Sequence, residues 1–188
     1  MRSNEKTIKQ DDDGLDLWWT NEDQFRAFPY MNIRHAARIA AYALGAHHIL
    51  EHGGGGSTLW LAQIAPHAIL YVQEHDPIWK ERIRLGLEAL AGCGVPLAVV
   101  QAASGGEQFE SPFDLVIVDG ESDERPVRIR EGWDLLRPGG SLFLHDAERA
   151  LYREPLKSLE AQGGMVVYCD INECPTAALV QMKKPLEP

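Results

Sequence analysis

The residues most able to do chemistry in this chain stand where apolar runs stop. Glu51 closes the run HHILE and leads through His52 into Gly53, Gly54, Gly55, Gly56 and Ser57. Glu74 closes AILYVQE, Ala103 and Ser104 follow a third run from Val95, Asp119 closes FDLVIVD, and His145-Asp146 end SLFLHD. Four successive glycines let the backbone turn at positive φ and let a ligand approach the main chain closely. A tight strand-to-helix loop also aims free helix N–H groups at whatever binds there. Asp119, His145 and Asp146 carry groups able to take a proton from a bound molecule.

These endings matter because of the elements that carry them. Strand-like and helix-like segments alternate from Ala46 onward: HHILE, the helical STLWLAQIA, AILYVQE, a helix over Ile78 to Ala91, then VPLAVVQ and FDLVIVD. A helix over Val127 to Leu136 leads to SLFLH, and another over Ala150 to Gln162 leads to MVVYCDI and TAALVQM. VPLAVVQ and FDLVIVD are nearly continuous apolar runs, as in buried parallel strands. The last two strands are separated by only Asn172 to Pro175, too few residues for a crossover helix, so they form an antiparallel hairpin. The expected fold class is α/β: a doubly wound, mostly parallel seven-stranded sheet with a C-terminal antiparallel hairpin. In such a sheet the carboxyl ends of the strands share one edge, and ligands bind there where the strand order reverses.

Residues 1–14 read as a disordered tail and 15–188 as a single Rossmann-like domain with an N-terminal helical segment over 15–45. In that segment Thr20 is an expected N-cap, and Trp18, Trp19, Phe25, Phe28 and Tyr30 form an aromatic group read as core packing, with a lid over a pocket as the alternative. Ile33, Ala36, Ala37, Ala40, Ala41 and Leu44 are expected to share the buried face of a helix that Gly45 ends.

The chain has 188 residues, a formal charge of −10 and 45% hydrophobic residues, the size and balance of one globular domain. No apolar run spans a bilayer, and the first ten residues lack the apolar core of a secretory signal, so the expectation is a soluble, cytoplasmic protein without a membrane partner. The negative field repels a nucleic-acid backbone, which disfavours nucleic acid as a partner. The basic stretch Arg125 to Arg137 is broken by Glu131 and Asp134 and reads as a solvated helix face, although Arg125 and Arg128 offer charge to an acidic acceptor. Cys93, Cys169 and Cys174 form neither an even disulfide set nor a CxxC pair and are expected to be buried as small apolar residues. His47 and His48 point to opposite faces of a strand, so the His47, His48, His52 group is no metal site; His52 lies beside the glycine loop, within reach of a ligand.

The glycine run fits no dinucleotide fingerprint, because G-x-G-x-x-G needs glycine at Thr58 or Leu59, and no lysine supplies a phosphate-binding Walker loop. What remains is E-x-G-x-G-x-S from Glu51 to Ser57, which resembles the first motif of class I S-adenosylmethionine-dependent methyltransferases. The resemblance runs from about Ile49 to Met182: Glu74, nineteen residues after Gly55, stands where the family grips both ribose hydroxyls, a task suited to a carboxylate. Ser104 falls where the family contacts adenine, and FDLVIVDG and LLRPGGSLFLHD match the fourth- and fifth-strand motifs. The motif layout is most similar to small catechol-type O-methyltransferases. In those, an Asp after strand four and an Asp-Asn pair after strand five hold a divalent cation; Asp119 and Asp146 match the aspartates, but Ala147 replaces the asparagine. The metal set is therefore incomplete and none is expected, although few carboxylates with water and substrate oxygens can hold a hard cation.

The resemblance thus implies transfer of a methyl group from S-adenosylmethionine to a small-molecule acceptor, at oxygen. The implied cofactor contacts are Glu51, Gly53, Gly55, Ser57, Glu74, Ser104 and Asp119, with Asp119, His145 and Asp146 at the reacting centre. A non-catalytic binding protein that keeps the fold is the alternative, and a homodimer that covers the pocket is compatible with the chain. A nicotinamide-dependent oxidoreductase is disfavoured by the failed glycine register and the final hairpin.

Overall fold

The structure is a computed structural model that describes residues 9–10, 16–17, 29, 31–103, 109, 112–171 and 178–186. Two short strands, β1 (Lys9–Gln10) and β2 (Asp16–Leu17), pair antiparallel. The rest of the N-terminal tail, Thr20 and all five residues of the aromatic group lie outside the described residues, as do Ser104 and Cys174. Helices and strands then alternate: α1 (Ile33–Ala43), β3 (His48–His52), α2 (Gly56–Ile64), β4 (Ile69–Gln73), α3 (Pro77–Gly92) and β5 (Val99–Ala102). The second half comprises β6 (Phe113–Val118), α4 (Arg125–Leu135), β7 (Leu136–His145), a 3₁₀ turn (Ala150–Tyr152), α5 (Arg153–Ala161), β8 (Met165–Cys169) and β9 (Leu179–Lys183).

β3 to β9 form a seven-stranded sheet in the order β5-β4-β3-β6-β7-β9-β8. The five strands from β5 to β7 are parallel, and β9 is antiparallel to both β7 and β8. This is the expected doubly wound sheet closed by an antiparallel hairpin. The chain winds outward from β3 through β4 to β5, then returns to β6 on the other side of β3 and continues to β7, so the order reverses between β3 and β6. Alternate residues of β6 supply both layers: Leu115 and Ile117 pack with α1, α2 and α3, whereas Val116 and Val118 pack with α4 and α5.

Three expectations change. α1 buries His35, Ala36, Ile39 and Ala43, while Ile33 and Leu44 are exposed; an alanine-rich helix carries little directional apolar signal, and Ile39 with His35 sets the face. β5 is an edge strand with Val99 exposed, not a buried central one, because no described strand pairs beyond it. Cys93 and Cys169 are free and exposed, one just past the end of α3 and one on the outermost strand β8.

α4 matters most for the site and lies unusually close to the sheet. Gly132 faces β6 so tightly that an added Cβ would sit 2.6 Å from Val116 Cγ1. Glycine-to-alanine in a helix interior ordinarily gains about 1 kcal/mol. Gly132→Ala is expected to reverse that sign and lower stability by about 1–3 kcal/mol through overpacking. Urea denaturation reads it, and a variant as stable as the wild type would contradict this packing.

Candidate functional site

Ladder register brings the strand endings into one row. His52 pairs with Gln73 and Val118, and Val118 pairs with Leu144, so the next residue on each strand places Gly53, Glu74, Asp119 and His145 side by side. The row lies along the carboxyl edge at the point where strand order reverses.

The glycine loop is held by polar contacts from both sides. Gly53 adopts φ 90°, and its N–H donates to Gln73 O at 2.9 Å. An added Cβ would stand 2.3 Å from Gly120 Cα, so the loops after β3 and β6 touch through backbone alone. The Gly54 N–H donates to Glu74 Oε2 at 3.0 Å, and the Gly55 N–H to Thr58 Oγ1 at 2.9 Å. The Thr58 hydroxyl in turn donates to Glu51 Oε2 at 2.5 Å. Glu51 is fully buried, and burial pushes its pKa up to about 7; the hydroxyls of Ser57 and Thr58 lower it in part, while Asp119 and Glu74 add repulsion. Ser57 lies buried in the first turn of α2. Glu74 also accepts from the Asp76 N–H at 2.8 Å.

Beside the loop, Asp119, His145 and Asp146 converge as expected. His145 Nδ1 lies 3.1 Å from Asp119 Oδ1 and 3.4 Å from Asp146 Oδ1. Its Nε2 is buried without a hydrogen-bond partner among the described residues. Burial works against the charged imidazole, but the hydrogen bond to Asp119 and the charges of Asp119 and Asp146 outweigh it, raising the His145 pKa above its ordinary 6.5. Asp146 sits at φ 52°, in the left-handed region, which aims its carboxylate back over the strand end. Asp119 is no helix cap: α4 starts after Glu124.

Arg125 is not the surface charge expected from the sequence. It is only 6% exposed, and its guanidinium lies between the two aspartates. Nε donates to Gly120 O at 2.6 Å and Nη1 to His145 O at 2.7 Å. Nη1 also reaches Asp146 Oδ2, and Nη2 reaches Asp119 Oδ1, both at 3.3 Å. Arg128, by contrast, pairs with Glu124 and Glu131 on the outer face of α4.

Two further residues escaped the sequence reading. His35 Nε2 lies 2.5 Å from Asp170 Oδ2, both buried, and the His35 ring meets that of His145 edge-on at 6.0 Å. The Leu179 N–H and the Tyr168 hydroxyl also donate to Asp170. The signal for Asp170 was present: β8 runs in the same sense as the parallel strands, so the acid at its end belongs to the same edge. His52 is the opposite case. It faces α4 beneath Gly132, on the sheet face away from Glu51, and burial lowers its pKa to about 4.

One ligand atom each from Asp119, His145 and Asp146 lie within 4.8 Å of one another, close enough for a metal ion. The donor set does not fit one. A metal ligand at His145 Nδ1 must be deprotonated, yet that nitrogen stands between two carboxylates as a donor would. Arg125 already bridges the same carboxylates, and Ala147 supplies no side-chain oxygen.

Residues 50–147, 98 of the 188, match the family model described as a methyltransferase domain, so the chain belongs to that family. A protein of Mycobacterium sp. (strain JLS), provisionally named an O-methyltransferase, is 30% identical over 102 residues, 50% of this chain and 45% of that protein. A protein of Mycobacterium tuberculosis (strain H37Rv) named a probable O-methyltransferase is 30% identical over 102 residues, 50% of this chain and 44% of its own length. The chain thus spans about half the length of the curated relatives it matches. Among solved structures, the O-methyltransferase TomG of Streptomyces achromogenes in complex with SAM superposes at TM-score 0.59, with 18% identity over 82% of this chain and 81% of that one. An O-methyltransferase of Bacillus cereus in complex with SAH gives TM-score 0.61, with 17% identity over 83% and 84%. The N-methyltransferase NodS of Bradyrhizobium japonicum gives 0.58, with 16% identity over 81% and 96%. The fold is therefore the Rossmann-like one of class I methyltransferases, and the resemblance read from the motifs holds.

Glu51 provides a pH test of this geometry. Its proton is held more tightly in the folded state, so its contribution to stability is present below pH 4.5 and is lost as pH rises to and through about 7. A shift of that size corresponds to about 3 kcal/mol. Glu51→Gln is expected to remove most of the fall in stability between pH 5 and pH 8, read by urea denaturation at both. An unchanged difference would contradict the buried, protonated Glu51.

Proposed function

We propose that the chain transfers a methyl group from S-adenosylmethionine to an oxygen of a small-molecule acceptor. The observation that carries this reading is the single row formed by the glycine loop, Glu74, Asp119 and His145 at the reversal point of the sheet. In this reading Gly53, Gly55, Glu51 and Ser57 form the bed for the methionine part of the cofactor, which has no pyrophosphate to neutralise. Glu74 has acceptor capacity left for the ribose hydroxyls. Ser104, which lies outside the described residues, is assigned to adenine by its motif position.

Asp119, His145 and Asp146 then act at the reacting centre. Methyl transfer is an in-line displacement: the acceptor oxygen forms a bond to the methyl carbon, the bond to sulfur breaks, and S-adenosylhomocysteine leaves. Alignment supplies much of the acceleration. The acceptor's proton goes to His145 Nε2, the unpartnered ring nitrogen, while Asp119 holds Nδ1–H. Oxygen is favoured over nitrogen by the names of the sequence relatives.

No helix among the described residues is long and apolar enough to cross a membrane. We propose a cytoplasmic protein acting on a small molecule; the charge of −10 supports this over a nucleic-acid partner. A homodimer is the arrangement we propose for covering the acceptor side.

Calorimetric titration with S-adenosylmethionine and S-adenosylhomocysteine tests the cofactor assignment. Saturable binding is expected, weakened about tenfold or more by Glu74→Ala. No binding at millimolar ligand by the folded protein would sink the reading, whereas binding without turnover of any acceptor would favour a non-catalytic binding protein. His145→Ala is expected to keep cofactor affinity and lower transfer by about 10²–10⁴-fold. Because the His145 pKa lies above 6.5, the wild-type rate should climb with pH beyond that value, and the variant should lose the inflection.

A further inference from the structure

We propose that Arg125 is a built-in cation, its guanidinium occupying the place between Asp119 and Asp146 where catechol-type relatives hold a divalent ion, so that this site organises its two carboxylates without a metal. The inference concerns ion binding and stands whether or not the methyl-transfer reading holds.

The geometry is that of a fixed component. Arg125 is the first residue of α4, and its side chain turns inward to the ends of β6 and β7. Its two shortest bonds go to main-chain carbonyls, Gly120 O at 2.6 Å and His145 O at 2.7 Å. These anchor the guanidinium independently of the carboxylates. From that anchorage one terminal nitrogen faces Asp146 and the other Asp119. The guanidinium spans two acids on two different strand ends, which is the task a bridging ion performs.

Competition follows from charge. A hard cation binds oxygens at about 2.0–2.6 Å, and the oxygens in question already have guanidinium nitrogens 3.3 Å away. Two cations would then share one part-buried pocket, where repulsion is far stronger than in water. A lysine could yield by losing its proton, but an arginine does not deprotonate in proteins. An incoming ion must therefore expel the whole side chain and break both carbonyl bonds. The neighbouring position adds no ligand, because the Ala147 side chain has no oxygen. His145 Nδ1 lies between the same two carboxylates from the other side. Arg149 pairs with Asp146 Oδ2 at 3.1 Å as a further positive neighbour.

Removing the guanidinium should uncover a latent ion site made of Asp119, His145 and Asp146. The test is Mn²⁺ titration of the full chain, followed by electron paramagnetic resonance, with folding checked by circular dichroism. The wild type is expected to show no saturable site up to about 1 mM Mn²⁺, and Arg125→Ala to bind one ion per chain at least about tenfold more tightly. Adding Asp146→Asn to that variant should abolish the gain. If Arg125→Ala does not fold, Arg125→Gln replaces it, retaining an amide donor for the carbonyls without the charge. Stoichiometric Mn²⁺ binding by the wild type that Asp119→Asn removes would overturn the proposal. So would a folded Arg125→Ala or Arg125→Gln variant with no gain in Mn²⁺ affinity. A merely structural arginine would lose stability on substitution without acquiring an ion.

Discussion

A guanidinium withdrawn from water costs several kcal/mol unless acceptors meet its N–H groups. Arg125 is met by two carbonyls and two carboxylates, contributed by the loops after β6 and β7. That requirement ties three pieces of chain together. It fixes where α4 begins, it holds Gly120 in the position that leaves room for Gly53, and it keeps Asp119 and Asp146 on either side of His145. The Tyr152 ring, 5.9 Å from the guanidinium carbon, closes the remaining side.

The glycine loop is the complementary constraint. Gly53 approaches Gly120 so closely that its backbone has no space for a side chain, whereas a Cβ on Gly120 would meet Gly53 at an ordinary 3.4 Å. The contact brings the end of β3 against the end of β6, where strand order reverses and an open parallel sheet leaves a crevice. Glu51 lies beneath this contact, fully buried, with its carboxyl held by Thr58. Burial raises its pKa to about 7, and the charges of Asp119 and Glu74 push in the same direction.

Much of this was legible in the sequence, because apolar runs and their polar terminators are local signals. Alternating runs gave the sheet and its hairpin, and the residues that stop each run gave Glu51, Glu74, Asp119, His145 and Asp146. Long-range pairing is a different matter. Arg125 reads as one more charge in a mixed helix, and only its contacts with residues up to twenty-one positions away distinguish it from Arg128. His35 meets Asp170 across 135 residues, so neither could be recognised from its own neighbourhood. Asp170 was within reach of the strand-ending rule, had the direction of β8 been followed through the hairpin. β5 misled because an apolar run looks alike at the centre and at the edge of a sheet.

We propose that the row from Glu74 to His145 holds the methyl donor. Amide chemical shifts of the isotope-labelled chain, followed during titration with S-adenosylhomocysteine, locate the binding residue by residue. Saturable changes are expected at residues 53–57, 73–74 and 119–120. Changes confined to the opposite edge, where His48, Ile69 and Phe113 begin their strands, or no changes at millimolar ligand, would contradict it.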